Sequence, residues 1–174
     1  PRLAPEVTGR TMDATFSDEQ RLFAETLRDI LDGTCPPEAV RASWDDPAGW
    51  VDGLWDTLAA TGVLGLTAPG SCDGLGMDEV DLVLLLEELG RAACPEPVAE
   101  HAAVAVPLLR DHGSDKLVGE WLGRAATGDA VVTVASPIDE LVPAAAQADL
   151  ILLAADGALH AVPADRLASV EQES

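Results

Sequence analysis

Few side chains in this sequence are equipped for acid–base or nucleophilic chemistry. The imidazoles are His101, His112 and His160, the thiols are Cys35, Cys72 and Cys94, and there is no tyrosine. No serine or cysteine stands with a histidine in a spacing that suggests a nucleophile, a base and an orienting acid. H-E-x-x-H, P-loop and G-x-G-x-x-G motifs are absent. Without a C-x-x-C, neither a zinc site nor a disulfide framework is indicated. Glu87 and Glu88 are adjacent carboxylates, but neighbours on a helix point in different directions, so a solvated or ion-paired face is the better reading. Gly74-Leu75-Gly76 is no phosphate cradle by itself and reads as a turn that folds a loop over a helix start. Glu100 and His101 are the polar members of the stretch 97–104 and read as a surface-facing pair on an amphipathic helix. Thr133 and Ser136 carry hydroxyls on and just beyond a β-branched run.

The elements that must position these residues are mostly helical. Ser17 with Gln20 forms a capping box, followed by apolar residues at helical spacing as far as Leu31. Cys35-Pro36-Pro37 breaks the chain, and Pro37 suits the first turn of a short helix. Trp50, Leu54, Trp55 and Leu58 mark a third helix ending at Gly62. A glycine-rich loop over 65–76 then leads into a central helix over 78–91. Its body is apolar almost all round, which predicts the most buried element of the helical part. Residues 98–109 read as a fifth helix that Pro107 should kink or shorten. Ser114 opens a sixth. After Gly128-Asp129 the character changes. Residues 130–135, 149–154 and 158–162 read as strands, the last two joined by an Asp156-Gly157 hairpin turn.

Composition sets outer bounds. The 174 residues carry 31 acidic and 10 basic side chains, a formal net charge of −21. That balance argues against nucleic acid and anionic membrane surfaces as partners. The apolar runs are too short to span a membrane. Residues 1–11 lack an apolar secretory core, and Met12 reads as a natural start after a leader. Three widely spaced cysteines suit a reducing, cytoplasmic setting.

Gly65-Leu66, Pro69, Gly74 to Met77 and the run Leu86-Glu87-Glu88-Leu89-Gly90-Arg91-Ala92 together resemble the N-terminal helical domain of the acyl-CoA dehydrogenase family. The flanking helices agree in order, so the resemblance covers roughly 16–134. It implies FAD as cofactor and an acyl-CoA thioester as substrate, with the flavin accepting a hydride. It also implies that Glu100 and His101 lie on the acyl pocket, and that Thr133 and Ser136 lie along the flavin, as a shortened echo of the family's Thr-Glu-Pro segment. The acid of that segment and the glycine loop after it are missing here, as are the family's flavin-packing Trp-Ile-Thr motif and its C-terminal helical bundle with the catalytic base.

The expected fold class is α+β: an all-α N-terminal domain of about six helices followed by a partial antiparallel β domain. The expected division is a leader over 1–15, a helical domain over 16–128 and a partial β domain over 129–174. Two main functions follow from the resemblance. The chain is either a component of an FAD-dependent acyl-CoA dehydrogenase whose base lies elsewhere, or a non-catalytic structural subunit of a heteromeric one. A tailoring enzyme acting on a carrier-bound acyl chain is a third, disfavoured by the acidic surface. Either main reading implies a homo- or hetero-oligomer with another chain of the family, with some of Trp44, Trp50, Trp55 and Trp121 at interfaces.

Overall fold

The computed structural model describes residues 15–47, 49–136 and 141–166. Nearly all of the expected leader, Met12, and Pro137, the residue after Ser136, lie outside the described residues. Six α-helices come first: α1 (Asp18–Thr34), α2 (Pro37–Ser43), α3 (Leu54–Thr61), α4 (Leu82–Arg91), α5 (Val106–His112) and α6 (Asp115–Thr127). Three strands follow, β1 (Val132–Ala135), β2 (Leu150–Ala155) and β3 (Ala158–Pro163). The expected fold class holds, helices and then a small sheet. The pairing is mixed, however. β2 and β3 are antiparallel, but β1 runs parallel to β2, with Val132 opposite Leu150.

Local chemistry explains most boundaries. The Ser17 hydroxyl accepts from the Gln20 amide, and the Gln20 side chain returns the bond to the Ser17 N–H, so two orphan donors at the start of α1 are satisfied. Ser114 caps α6 by the first of these bonds alone, its hydroxyl accepting from the Leu117 backbone N–H. Asp156 and Gly157 both take left-handed conformations, the requirement of a two-residue hairpin matched to strand twist. Pro107 cannot donate to a carbonyl one turn back. The chain accommodates it with a π-helical turn, Ala99–Ala105, closed by the Val106 N–H on the His101 carbonyl, and α5 starts immediately after.

Two main cores result. α1, α3 and α4 contribute Leu27, Leu31, Leu54, Leu58, Leu82 and Leu85 to one. α5 and α6 pack Val106, Leu109, Leu122 and Ala125 against Val132, Leu150 and Leu152 of the sheet. Each fully buried leucine contributes about 1.5–3 kcal/mol relative to exposure. The alternation of a strand turns Thr133, Ala135 and Ile151 to the opposite face, where the loop containing Val142, Ala145 and Ala148 covers them.

The central helix departs from expectation. It is amphipathic, with Val83 47 % exposed and Glu87 in solvent. The most continuously buried stretch is the entry to the glycine loop, where every residue from 63 to 68 is buried. A loop survives inside because its backbone groups pair with each other. Leu75 donates to Gly65, Gly76 to Ala68 and Met77 to Leu66. Gly65 permits this by lying against α6, since a Cβ there would stand 2.5 Å from that of Ala126. A Cβ on Gly74 would collide with the Ala68 carbonyl.

Candidate functional site

Leaving α4, the chain turns through Cys94-Pro95-Glu96-Pro97 before the π-turn begins. Two prolines stiffen the segment by fixing their own φ. It separates two clefts. One, of about 360 Å³, lies between this segment with Glu100, the Gly49-Trp50 loop, and Pro143, Ala144 and Gln147 beyond β1. The other, of about 300 Å³, lies against Leu86, Leu89, Gly90 and Ala93 at the end of α4. Cys94, Glu96 and Glu100 line both. Trp50 stacks on Trp55 at 5.3 Å between ring centroids, so its ring is held in place where it meets the first cleft.

Glu96 is 5 % exposed and holds this corner together. Its Oε1 accepts from the Val51 N–H at 2.9 Å, and its Oε2 accepts from the Cys94 thiol at 3.1 Å. Burial without a cation pushes the carboxyl above its ordinary range. Burial also raises the Cys94 thiol, and the neighbouring carboxylate raises it further.

The four residues singled out from sequence fall in different places. Glu100 is partly buried and lines both clefts. His101, one position on, points the other way and is fully buried. Its Nδ1 accepts from the Val132 N–H and its Nε2 donates to the Ala125 carbonyl, each at 3.0 Å. An N–H can only donate and a carbonyl can only accept, so these partners fix the neutral tautomer. Burial pushes its pKa down to about 4. His101 is therefore a tie between the π-turn, α6 and β1, which corrects its expected place on a pocket wall. Thr133 is likewise fully buried, its hydroxyl donating to the Pro143 carbonyl at 2.8 Å. That side chain has no surface left for a cofactor; it positions one lip of the first cleft instead. Ser136 sits beyond the end of β1 and is partly exposed.

Sequence reasoning missed Glu96 and Cys94. Their signal was a proline-flanked acid, which reads as a surface loop until Val51 and Cys94 are seen to enclose it. Glu88 proves to be the ion-paired acid of the adjacent pair. It is buried, and Arg28 and Arg91 bind it from α1 and from its own helix at 2.5 and 2.7 Å. No group of three or more metal-ligating side chains is assembled among the described residues. No helix among them is long and apolar enough to cross a membrane.

The family model for the acyl-CoA dehydrogenase N-terminal domain matches residues 17–129. The chain belongs to the acyl-CoA dehydrogenase family. Acyl-CoA dehydrogenase IpdE2 of Mycolicibacterium smegmatis is 34 % identical over 95 residues, covering 54 % of this chain and 30 % of that protein. The ChsE4-ChsE5 complex from Mycobacterium tuberculosis matches over 88 % of this chain and 49 % of that one, at a TM-score of 0.76 and 24 % identity. An acyl-CoA dehydrogenase complexed with FAD from Bacillus anthracis matches over 89 % of this chain and 32 % of that one, at a TM-score of 0.71 and 20 % identity. This chain thus spans between 30 % and 49 % of the length of these relatives.

Proposed function

We propose that this chain supplies the helical part, and the start of the β part, of an FAD-dependent acyl-CoA dehydrogenase acting on an acyl-CoA thioester. The observation that carries the reading is the first cleft. It opens between Pro97 and Glu100, at the start of the 97–104 stretch that the family resemblance assigns to the acyl pocket, and Pro143, Ala144 and Gln147, which Thr133 ties to the strand that the resemblance lays along the flavin. In this reading Trp50 offers the acyl chain a fixed apolar wall and Glu100 a polar boundary. The natural division of labour falls near Gly128, with helices before it and flavin-facing strands after.

The fit to FAD is partial. The partly exposed Ser136 at the end of β1 suits the polar edge of the flavin ring. Among the described residues the lining of both clefts contains carboxylates and no lysine or arginine, so in this reading the phosphates of FAD and coenzyme A are held by other parts of the assembly. When bound, FAD accepts the hydride. This chain's part is to orient the acyl chain and exclude water, and the base that takes the α-proton lies outside it. A cytoplasmic oligomer is part of the same proposal, with Trp44, 75 % exposed on a helix end, as an interface residue.

The alternative, a structural subunit of a heteromeric dehydrogenase that binds no flavin itself, gains from the burial of Thr133. One pair of variants separates the two in the assembled protein. Ser136→Ala should weaken flavin retention three- to tenfold, the loss of one hydrogen bond of about 0.5–1.5 kcal/mol. Trp50→Ala should raise KM for acyl-CoA more than it lowers kcat. If flavin retention and KM both stay at the parental values, the structural subunit is the correct reading.

A further inference from the structure

α1 and α4 pack side by side and parallel, and their cross-links keep register along the whole length. Gln20 donates to Asp81, Arg28 binds Glu88, and Asp32 binds Arg91. Three residues further along each strand of this ladder stand Cys35, at the C-cap of α1, and Cys94, just past the end of α4. Cys35 belongs to the first packed cluster and Cys94 packs against it, and each thiol lies within the electrostatic reach of the other. Nothing in the proposed dehydrogenase chemistry uses either sulfur.

We infer that Cys35 and Cys94 are an oxidisable thiol pair, closing to a disulfide that ties the end of α1 to the segment walling both clefts. The two sulfurs reach solvent unequally. Cys35 is 3 % exposed, whereas Cys94 is partly exposed and lines both clefts, so Cys94 is the point of entry. The oxidant is a low-molecular-weight disulfide. Glu96 Oε2, 3.1 Å from the Cys94 sulfur, takes the thiol proton as that sulfur attacks the oxidant. The oxidant's S–S bond breaks, one half leaves as a thiol carrying that proton, and the other half remains joined to Cys94. Cys35 then attacks the Cys94 sulfur, and the second half leaves with the Cys35 proton. Two protein thiols are oxidised to one disulfide, and the oxidant is reduced to two thiols. Burial holds both protein thiols above their ordinary range, so attack is slow near neutral pH and faster as pH rises.

Closure changes the cleft. Glu96 loses the Cys94 thiol as donor and keeps the Val51 N–H, immediately beside Trp50. Oxidation therefore alters the Trp50 surroundings without touching the α1–α4 ion pairs.

Trypsin separates the three cysteines. Cys35 falls in 29–41, Cys72 in 42–91 and Cys94 in 92–110. The native full chain is incubated with oxidised glutathione at about pH 8, quenched in acid, alkylated with N-ethylmaleimide and digested. The expected product is 29–41 linked to 92–110, with Cys72 alkylated. In Cys35→Ser the reaction should stop at a glutathione adduct on Cys94. Three outcomes overturn the inference: a linkage that forms only in urea, a linkage through Cys72, or native Cys35 and Cys94 both recovered alkylated after prolonged oxidation.

Discussion

Glu88 and Glu96 lie eight residues apart, and each is about 95 % removed from solvent, yet their surroundings act on them in opposite directions. Glu88 meets two guanidinium groups, Arg28 first and then Arg91, which outweigh the cost of burial and hold its pKa down to about 2. Glu96 meets a thiol and a backbone N–H, and burial wins, pushing its carboxyl upward. Burial alone therefore does not decide what a buried acid does; the charge of what it is buried against does. The guanidinium-bound acid joins two helices. The other sits between two clefts, where a proton can be taken or given.

The most severe way to break this comparison is to bury an acid with no partner at all. Leu85 is 1 % exposed, one turn before Glu88, with neither arginine bonded in its direction. Leu85→Asp should cost about 3–5 kcal/mol in denaturant unfolding. A loss below 1 kcal/mol would mean that the α1–α4 core tolerates a bare charge and that the arginines are unnecessary.

His101 sharpens the contrast with a group buried neutral. Its folded pKa of about 4 lies below the unfolded value of about 6.5. As pH falls from about 6.5 the unfolded state gains a proton that the folded state refuses, so stability declines until the pH passes about 4. The full loss is about 3 kcal/mol. His101→Gln should flatten that limb of the stability–pH profile; a slope unchanged by the substitution would assign the acid sensitivity elsewhere.

Glu88→Ala comes next, at about 1–3 kcal/mol, because both arginines remain accessible to water once the acid is gone. The depressed pKa means that the stabilisation is complete above about pH 4.3 and lost as pH falls through about 2. The parent should therefore lose its advantage over the variant across that window in acid titrations. The smallest effect is expected for Glu96→Gln, about 1 kcal/mol or less near neutral pH. Its sign is reversed. A carboxyl raised by folding is compatible with the fold below the unfolded pKa of about 4.3 and increasingly unfavourable as pH rises through the folded value. The parent, relative to the glutamine variant, should thus weaken on going from pH 4 to 7. A parallel pair of profiles would remove the distinction between the two acids.

How far the sequence foretold this depends on how local each feature is. The Ser17–Gln20 box and the Asp156-Gly157 turn are settled within four residues and were legible. The helix order was legible from periodicity, and the family from the 65–92 motifs. The parallel pairing of β1 was not, because strand direction depends on a connection whose path no short pattern encodes. The amphipathic character of α4 was hidden because valine at positions 80 and 83 reads as core, whereas both are about half exposed. At the candidate clefts, Glu100 was singled out from the sequence and Glu96 was not, although both line them. The partners of Glu96 include Val51, forty-five residues earlier, and nothing near Glu96 announces that contact. His101 was found as a polar residue and misplaced, since the rotation that sends it inward arises in the π-turn.

That π-turn carries one residue more than an α-helix needs to cover the same rise. In a regular helix each residue advances the direction of its side chain by about 100°. Deleting a single alanine at 102 or 103 would let the segment relax to α geometry ahead of Pro107 while rotating Glu100 and His101 together by about that angle relative to α5. Glu100 would leave the clefts and His101 would leave the Val132 and Ala125 groups that now satisfy it. Length changes here are therefore changes of angular phase. A loop of the same size on the surface would absorb the deletion, but this segment would transmit it to the cleft wall and the first strand in one step.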